Sequence, residues 1–150
     1  SLSGHTRRVG AQIAQRLGCP MLEISEPRPR RGGFAFLRSG FEALFRILPA
    51  IEPIDRNLRD YSTVVIGTPV WVGHVSSPVR SFLARHRGEI RSAAAFCTMG
   101  GRGPVNTFAD IASLCGKPLL ATAAISEREL EMPDYGARLE GFLAALRQAG

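Results

Sequence analysis

Lysine is almost missing from this chain. Of 19 basic residues in 150, only Lys117 is a lysine. The arginines are scattered apart from the run RPRR at 28–31, which has no interleaved aromatic residue. A net charge of +6 in that form reports solubility and unspecific attraction to anions rather than a reading face, so nucleic acid is not an expected partner. Cysteine is scarce too: Cys19, Cys97 and Cys115 are odd in number, far apart and without CxxC spacing. Neither a disulfide framework nor a zinc site is indicated by that, and a reducing cytoplasm fits best. No apolar run approaches the ~20 residues of a bilayer-crossing helix, so no membrane span is expected. Internal repeats and low-complexity linkers are absent as well, and tryptophan occurs once, at Trp71.

What is present is an ordinary globular core composition, 45% hydrophobic. A chain of this length buries roughly 70% of its unfolded surface, and one domain over residues 1–150 is expected.

Apolar stretches of two kinds alternate along it. Val9, Ile13 and Leu17 recur at helical spacing in a segment closed by Gly18, and they predict a helix with one buried face. Met21 to Ile24 predicts a short strand. After SEPRPRRGG, residues Leu37, Phe41, Leu44, Phe45 and Leu48 predict a second helix that Pro49 ends. TVVIG at 63–67 has no polar alternation, as in a parallel strand covered on both faces. Ser77 as N-cap and Pro78 in the first turn open a third helix with Val79, Phe82 and Leu83 inward. AAAFC at 93–97 predicts a strand. Val105, Phe108, Ala112 and Cys115 form a helical stripe, KPLLATAAI at 117–125 a strand, and Leu139, Phe142, Leu143 and Leu146 a closing helix.

Helices and strands in strict alternation imply an α/β fold, a parallel sheet with helices on both faces. Ligands of such sheets bind at the carboxyl ends of the strands, so chemistry is sought in the strand-to-helix loops. Three qualify: residues 1–6, 68–77 and 98–104. The first, SLSGHT, offers the hydroxyls of Ser1, Ser3 and Thr6 and a close backbone approach at Gly4, and it runs into a helix whose unpaired amides favour a phosphate. The second, TPVWVGHVSSP, holds Trp71 directly after a buried strand, where an aromatic ring either covers something flat or caps the core. The third, TMGGRG, has three glycines in six residues, so its backbone can approach a planar ligand.

These three loops resemble those of the flavodoxin-like family, and the resemblance extends over essentially the whole chain. The family's phosphate loop, [ST]-x-[ST]-G-x-T, is matched by Ser1, Ser3, Gly4 and Thr6, with His5 where asparagine is common. Its G-T-P-V-W-x-G loop is matched by Gly67, Thr68, Pro69, Val70, Trp71 and Gly73, followed by a Pro-initiated helix like PVRSFL at 78–83. Its C/S-T-x-G-G loop is matched by Cys97, Thr98, Met99, Gly100 and Gly101. The resemblance implies a flavodoxin-like three-layer α/β/α sandwich, with five parallel strands in the order 2-1-3-4-5. It also implies one noncovalent FMN, the phosphate at the first loop and the isoalloxazine between the other two. A strand at an interior sheet position is implied before the phosphate loop; it is not in this sequence.

On this reading the chain is an FMN-binding redox protein. It acts as a small NAD(P)H- or quinone-linked reductase or as an electron shuttle to a redox protein; the alternative is an interaction module of the same fold that has lost FMN. Whether it is an enzyme stays open. The basic balance disfavours the shuttle, because electron-transferring members are generally acidic. Arg102 either attracts the phosphates of NAD(P)H or an anionic quinone, or is simply solvated. The stretch 26–59 lengthens a crossover and shapes either a partner or homodimer surface or core. His5 is expected to contact the cofactor. His74 is either a proton relay or a plain loop residue, His86 a surface residue and Cys97 a small core residue. The acidic run at 127–131 is expected to be a solvated loop face without a metal, and no residue is expected to be catalytic by itself, since the cofactor carries the chemistry.

Overall fold

A computed structural model of the chain describes residues 4–27, 48–101, 103–132 and 135–149. In order these form helix α1 (His5–Leu17), a single 3-10 turn (Leu58–Asp60), strand β1 (Thr63–Trp71), strand β2 (His74–Val75), helix α2 (Ser77–His86), strand β3 (Ser92–Met99), helix α3 (Pro104–Cys115), strand β4 (Leu119–Ser126), helix α4 (Glu127–Leu130) and helix α5 (Tyr135–Ala149). The expected helix over 37–48 lies outside the described residues except for Leu48, which is exposed and not helical. Among the described residues no helix is long and apolar enough to cross a membrane.

Among the described residues the sheet has four strands in the order β2-β1-β3-β4. β1, β3 and β4 are parallel, with Gly67 opposite Phe96 and Cys97 opposite Ala124. Residue parity then sorts the core. Ala93 and Ala95 face one layer with Ile66, beside Val79, Phe82 and Leu83 of α2 and Ile111 and Cys115 of α3. Ala94 and Phe96 face the other, with Val9 and Ile13 of α1 and Leu139, Phe142 and Leu143 of α5. Among the described residues two helices therefore cover each face. The alanines of β3 let both layers approach closely, and Phe96 fills the space left by Gly67, where a Cβ would lie 2.3 Å from the Phe96 ring.

Several expectations need correction. The sheet is mixed rather than wholly parallel: β2 pairs antiparallel with the end of β1, Val70 to Val75 and Trp71 to His74. This hairpin turns on Val72 and Gly73, both with positive φ (51° and 79°), the dihedral signature of a type I′ turn. Met21 to Ile24 is not a strand. A ladder needs a neighbour, and this segment is separated from β1 by a cavity of about 350 Å³, leaving Met21 and Leu22 exposed. The edge of β1 facing it, Thr63 to Pro69, pairs with no strand among the described residues. Ser76 rather than Ser77 precedes α2. Val105 is 78% exposed, because α3 turns Thr107, Ile111 and Cys115 inward instead. The acidic run at 127–131 opens as α4: Ser126 accepts from the Glu129 amide while Glu129 reaches back to the Ser126 amide, a reciprocal cap.

Candidate functional site

The described parts of the three loops lie at the carboxyl end of the parallel strands, and named contacts join them. Thr6, in the first turn of α1, is 8% exposed, and its hydroxyl lies 2.6 Å from that of Thr98 at the end of β3. That contact joins the first loop to the third. The second and third meet at Gly73 and Gly103: a Cβ on Gly103 would lie 2.5 Å from Gly73 Cα, and Gly103 has φ +99°, a conformation open to glycine. Thr107 closes the junction, its hydroxyl 2.9 Å from Gly103 O and 3.4 Å from Gly73 O.

Gly4 is the N-cap of α1 at φ 77°; among the described residues no side chain caps the first amides and nothing lies within 4 Å of where its Cβ would be. Unpaired amides and the positive end of the helix dipole are what an anion seeks. His5 Nδ1 is buried and makes no hydrogen bond among the described residues; the Glu127 carboxylate faces it at 3.4 Å, as a charge rather than as a bonded acceptor. Glu127 also borders the third loop, 4.0 Å from the Cβ position of Gly100. Gly100 and Gly101 are exposed. Ser1, Ser3 and Arg102 lie outside the described residues.

The second loop is stapled from within. Thr68 is fully buried; its hydroxyl is 2.9 Å from Pro69 O and 3.1 Å from Ser76 Oγ, and it accepts from the Ser76 amide at 3.2 Å. Its side chain therefore fixes the loop rather than facing a ligand. Val70 and Trp71 are half-buried. Trp71 lines the cavity beside β1, together with Thr6, Gly67, Pro69 and Ser76. Because no residue of the 98–101 loop borders it, that cavity belongs to the open strand edge rather than to the junction of the loops.

Three residues that sequence reasoning missed complete the neighbourhood. Asp110, on α3, takes three donors on one oxygen: His74 Nδ1 at 2.9 Å, Arg80 Nη2 at 3.3 Å and the Val75 amide at 3.4 Å. Arg80 is 5% exposed. Asp110 belongs to no motif, Arg80 stands in the Pro-initiated helix PVRSFL with no role of its own, and Ser76 takes the capping place expected of Ser77; only the fold brings Asp110 and Arg80 together at the loop. Among the described residues no cluster of metal-ligating side chains occurs. Burial pushes the Cys97 thiol up to about 12, so it stays protonated and is not a redox nucleophile.

No protein-family model matches the chain, and no curated protein matches it in sequence. Solved structures do. A flavoprotein from Lactobacillus acidophilus NCFM, solved in complex with FMN, superposes with a TM-score of 0.68 at 17% identity, over 87% of this chain and 91% of that one. A candidate flavoprotein from Bacteroides eggerthii DSM 20697 gives 0.75 at 21% identity, over 96% and 91%. One from Bacteroides uniformis ATCC 8492 gives 0.70 at 18%, over 85% and 86%. The chain shares their fold. At these identities the likeness speaks for the arrangement of helices and sheet alone, an α/β fold with a mixed sheet of four strands among the described residues, and not for side-chain chemistry.

Proposed function

We propose that this chain is a single-domain FMN-binding redox protein. The observation that carries the reading is the Thr6–Thr98 contact of 2.6 Å, which sets the start of α1 beside the glycine turn of the third loop. The residues fit the group: the α1 amides, Gly4, His5 Nδ1 and Thr6 would hold the phosphate, with Ser1 and Ser3 upstream of them. Pro69, Val70, Trp71 and Gly73 on one side and Thr98, Met99, Gly100 and Gly101 on the other would hold the ring, with Thr68 bracing the loop. Bound FMN supplies one- or two-electron transfer. The chain's residues position it and exclude water.

The donor is NAD(P)H or a redox protein and the acceptor a quinone or similar small molecule. The +6 charge favours such anionic partners over the basic partners of acidic shuttles. The open edge of β1 and the cavity beside it fit a further extended segment lying between β1 and residues 21–26, as the resemblance implies. A cytoplasmic setting suits the unpaired cysteines.

An absorbance titration with FMN tests the reading. A dissociation constant below about 1 μM, equivalent to about 8 kcal/mol, is expected. Thr6→Ala should weaken it about tenfold through the loss of one charge-assisted hydrogen bond. A colourless protein that takes up no FMN would leave an interaction module of the same fold.

A further inference from the structure

We propose that His74 is the residue that exchanges protons with the electron acceptor, held for that role by Asp110 and Arg80. The inference rests on the redox reading above and adds a residue that the loop motifs do not contain.

The geometry fixes one ring atom and leaves the other available. A carboxylate only accepts, so the 2.9 Å contact between His74 Nδ1 and Asp110 Oδ2 requires the proton on Nδ1. Nε2 is then the atom that gains or loses a proton, and it has no partner among the described residues. Asp110 cannot swing away from the ring. Its Oδ2 is held by Arg80 and by the Val75 amide, its side chain is 14% exposed and that of Arg80 is 6% exposed. A partly buried carboxylate that orients an imidazole and sets its tautomer is a recurring arrangement for acid–base work. The His74 side chain itself is 30% exposed, so it can meet both solvent and a bound molecule. In sequence and space it belongs to the ring loop, since it pairs with Trp71 across the hairpin.

Converting a quinone to a quinol takes up two electrons and two protons. Bound reduced FMN would supply the electron pair and one of the two protons, to one carbonyl oxygen. The other oxygen is left as an anion and takes a proton from Nε2 of protonated His74: the N–H bond breaks, an O–H bond forms, and the ring is left neutral. Water returns the proton. Asp110 and Arg80 are positioning residues in this scheme, since they act through His74.

The test uses the whole chain in two measurements. Long-range proton–nitrogen NMR of the flavin-free protein reads the neutral tautomer of His74. The proton is expected on Nδ1 in the wild type, and the Nε2–H form is expected to appear in Asp110→Asn; an Nε2–H wild type would overturn the proposal. Stopped-flow oxidation of the dithionite-reduced, FMN-loaded protein by menadione reads the proton transfer. His74→Gln is expected to keep FMN affinity within about twofold while the oxidation rate falls about 100-fold, and imidazole is expected to restore His74→Gly. An unchanged rate in His74→Gln, or a loss that imidazole does not restore, rejects His74 as the proton donor while leaving FMN binding intact. Failure of the wild type to take up FMN overturns the redox reading, and the proposal falls with it.

Discussion

Gly103 and Gly73 touch backbone to backbone, close enough that a single methyl group on Gly103 would lie 2.5 Å from Gly73 Cα. Two loops from different strands thus share one packing contact, and neither can move without the other. Gly103→Ala adds both that collision and a left-handed φ of +99° that costs a side chain of order 1–3 kcal/mol. A loss of about 2 kcal/mol, or about 4–8 °C in Tm, is expected by thermal denaturation. Gly101→Ala, with nothing within 4 Å of its Cβ, is expected to stay within about 0.5 kcal/mol of the wild type.

Val72 holds φ 51°, which crowds a β-branched side chain, and it stands 61% exposed at the first turn position of the hairpin. Asn tolerates this conformation far better. Val72→Asn is therefore expected to raise stability by about 1 kcal/mol, measured as a shift of the urea midpoint with an unchanged slope.

The cysteines should separate by burial. Cys19 is exposed, whereas Cys97 and Cys115 are buried, and burial raises both thiols, Cys97 to about 12. Iodoacetamide at pH 8 is expected to label Cys19 alone in the native protein and all three thiols in denaturant, read by intact mass.

Glu129 accepts from the amide and the hydroxyl of Ser126, which holds its carboxyl below the ordinary glutamate range. A depressed native value means that its contribution is fully present above the unfolded value of about 4.3 and is lost as pH falls through the native one. Glu129→Gln keeps a capping partner but cannot titrate. Its stability, followed from pH 6 down to pH 3, is expected to fall less steeply than that of the wild type.

Much of the fold was legible because it rests on local periodicity. The stripe Val9, Ile13 and Leu17, the unbroken TVVIG run and the alternating Ala93 to Phe96 each carry their own burial pattern, and the order of elements then implies a parallel sheet. The positions of the loops were legible as well, since Gly4 and Thr6 open a helix while Trp71 ends a strand and Gly100 follows one. The segment Met21 to Ile24 was misread because a strand exists only through its neighbour, and apolar residues alone do not supply one. The Glu129 cap was read as a solvated acidic run because charge dominated the pattern while the capping geometry depends on the preceding strand.

By itself the sequence determined the alternation of helices and strands and the layers they form, because side-chain spacing along a helix or strand dictates which face is buried. Only the tertiary structure decided which distant residues meet. Thr6 reaches Thr98 across 92 positions and His74 reaches Asp110 across 36, and contacts of that separation depend on strand register and helix docking, which no local pattern encodes.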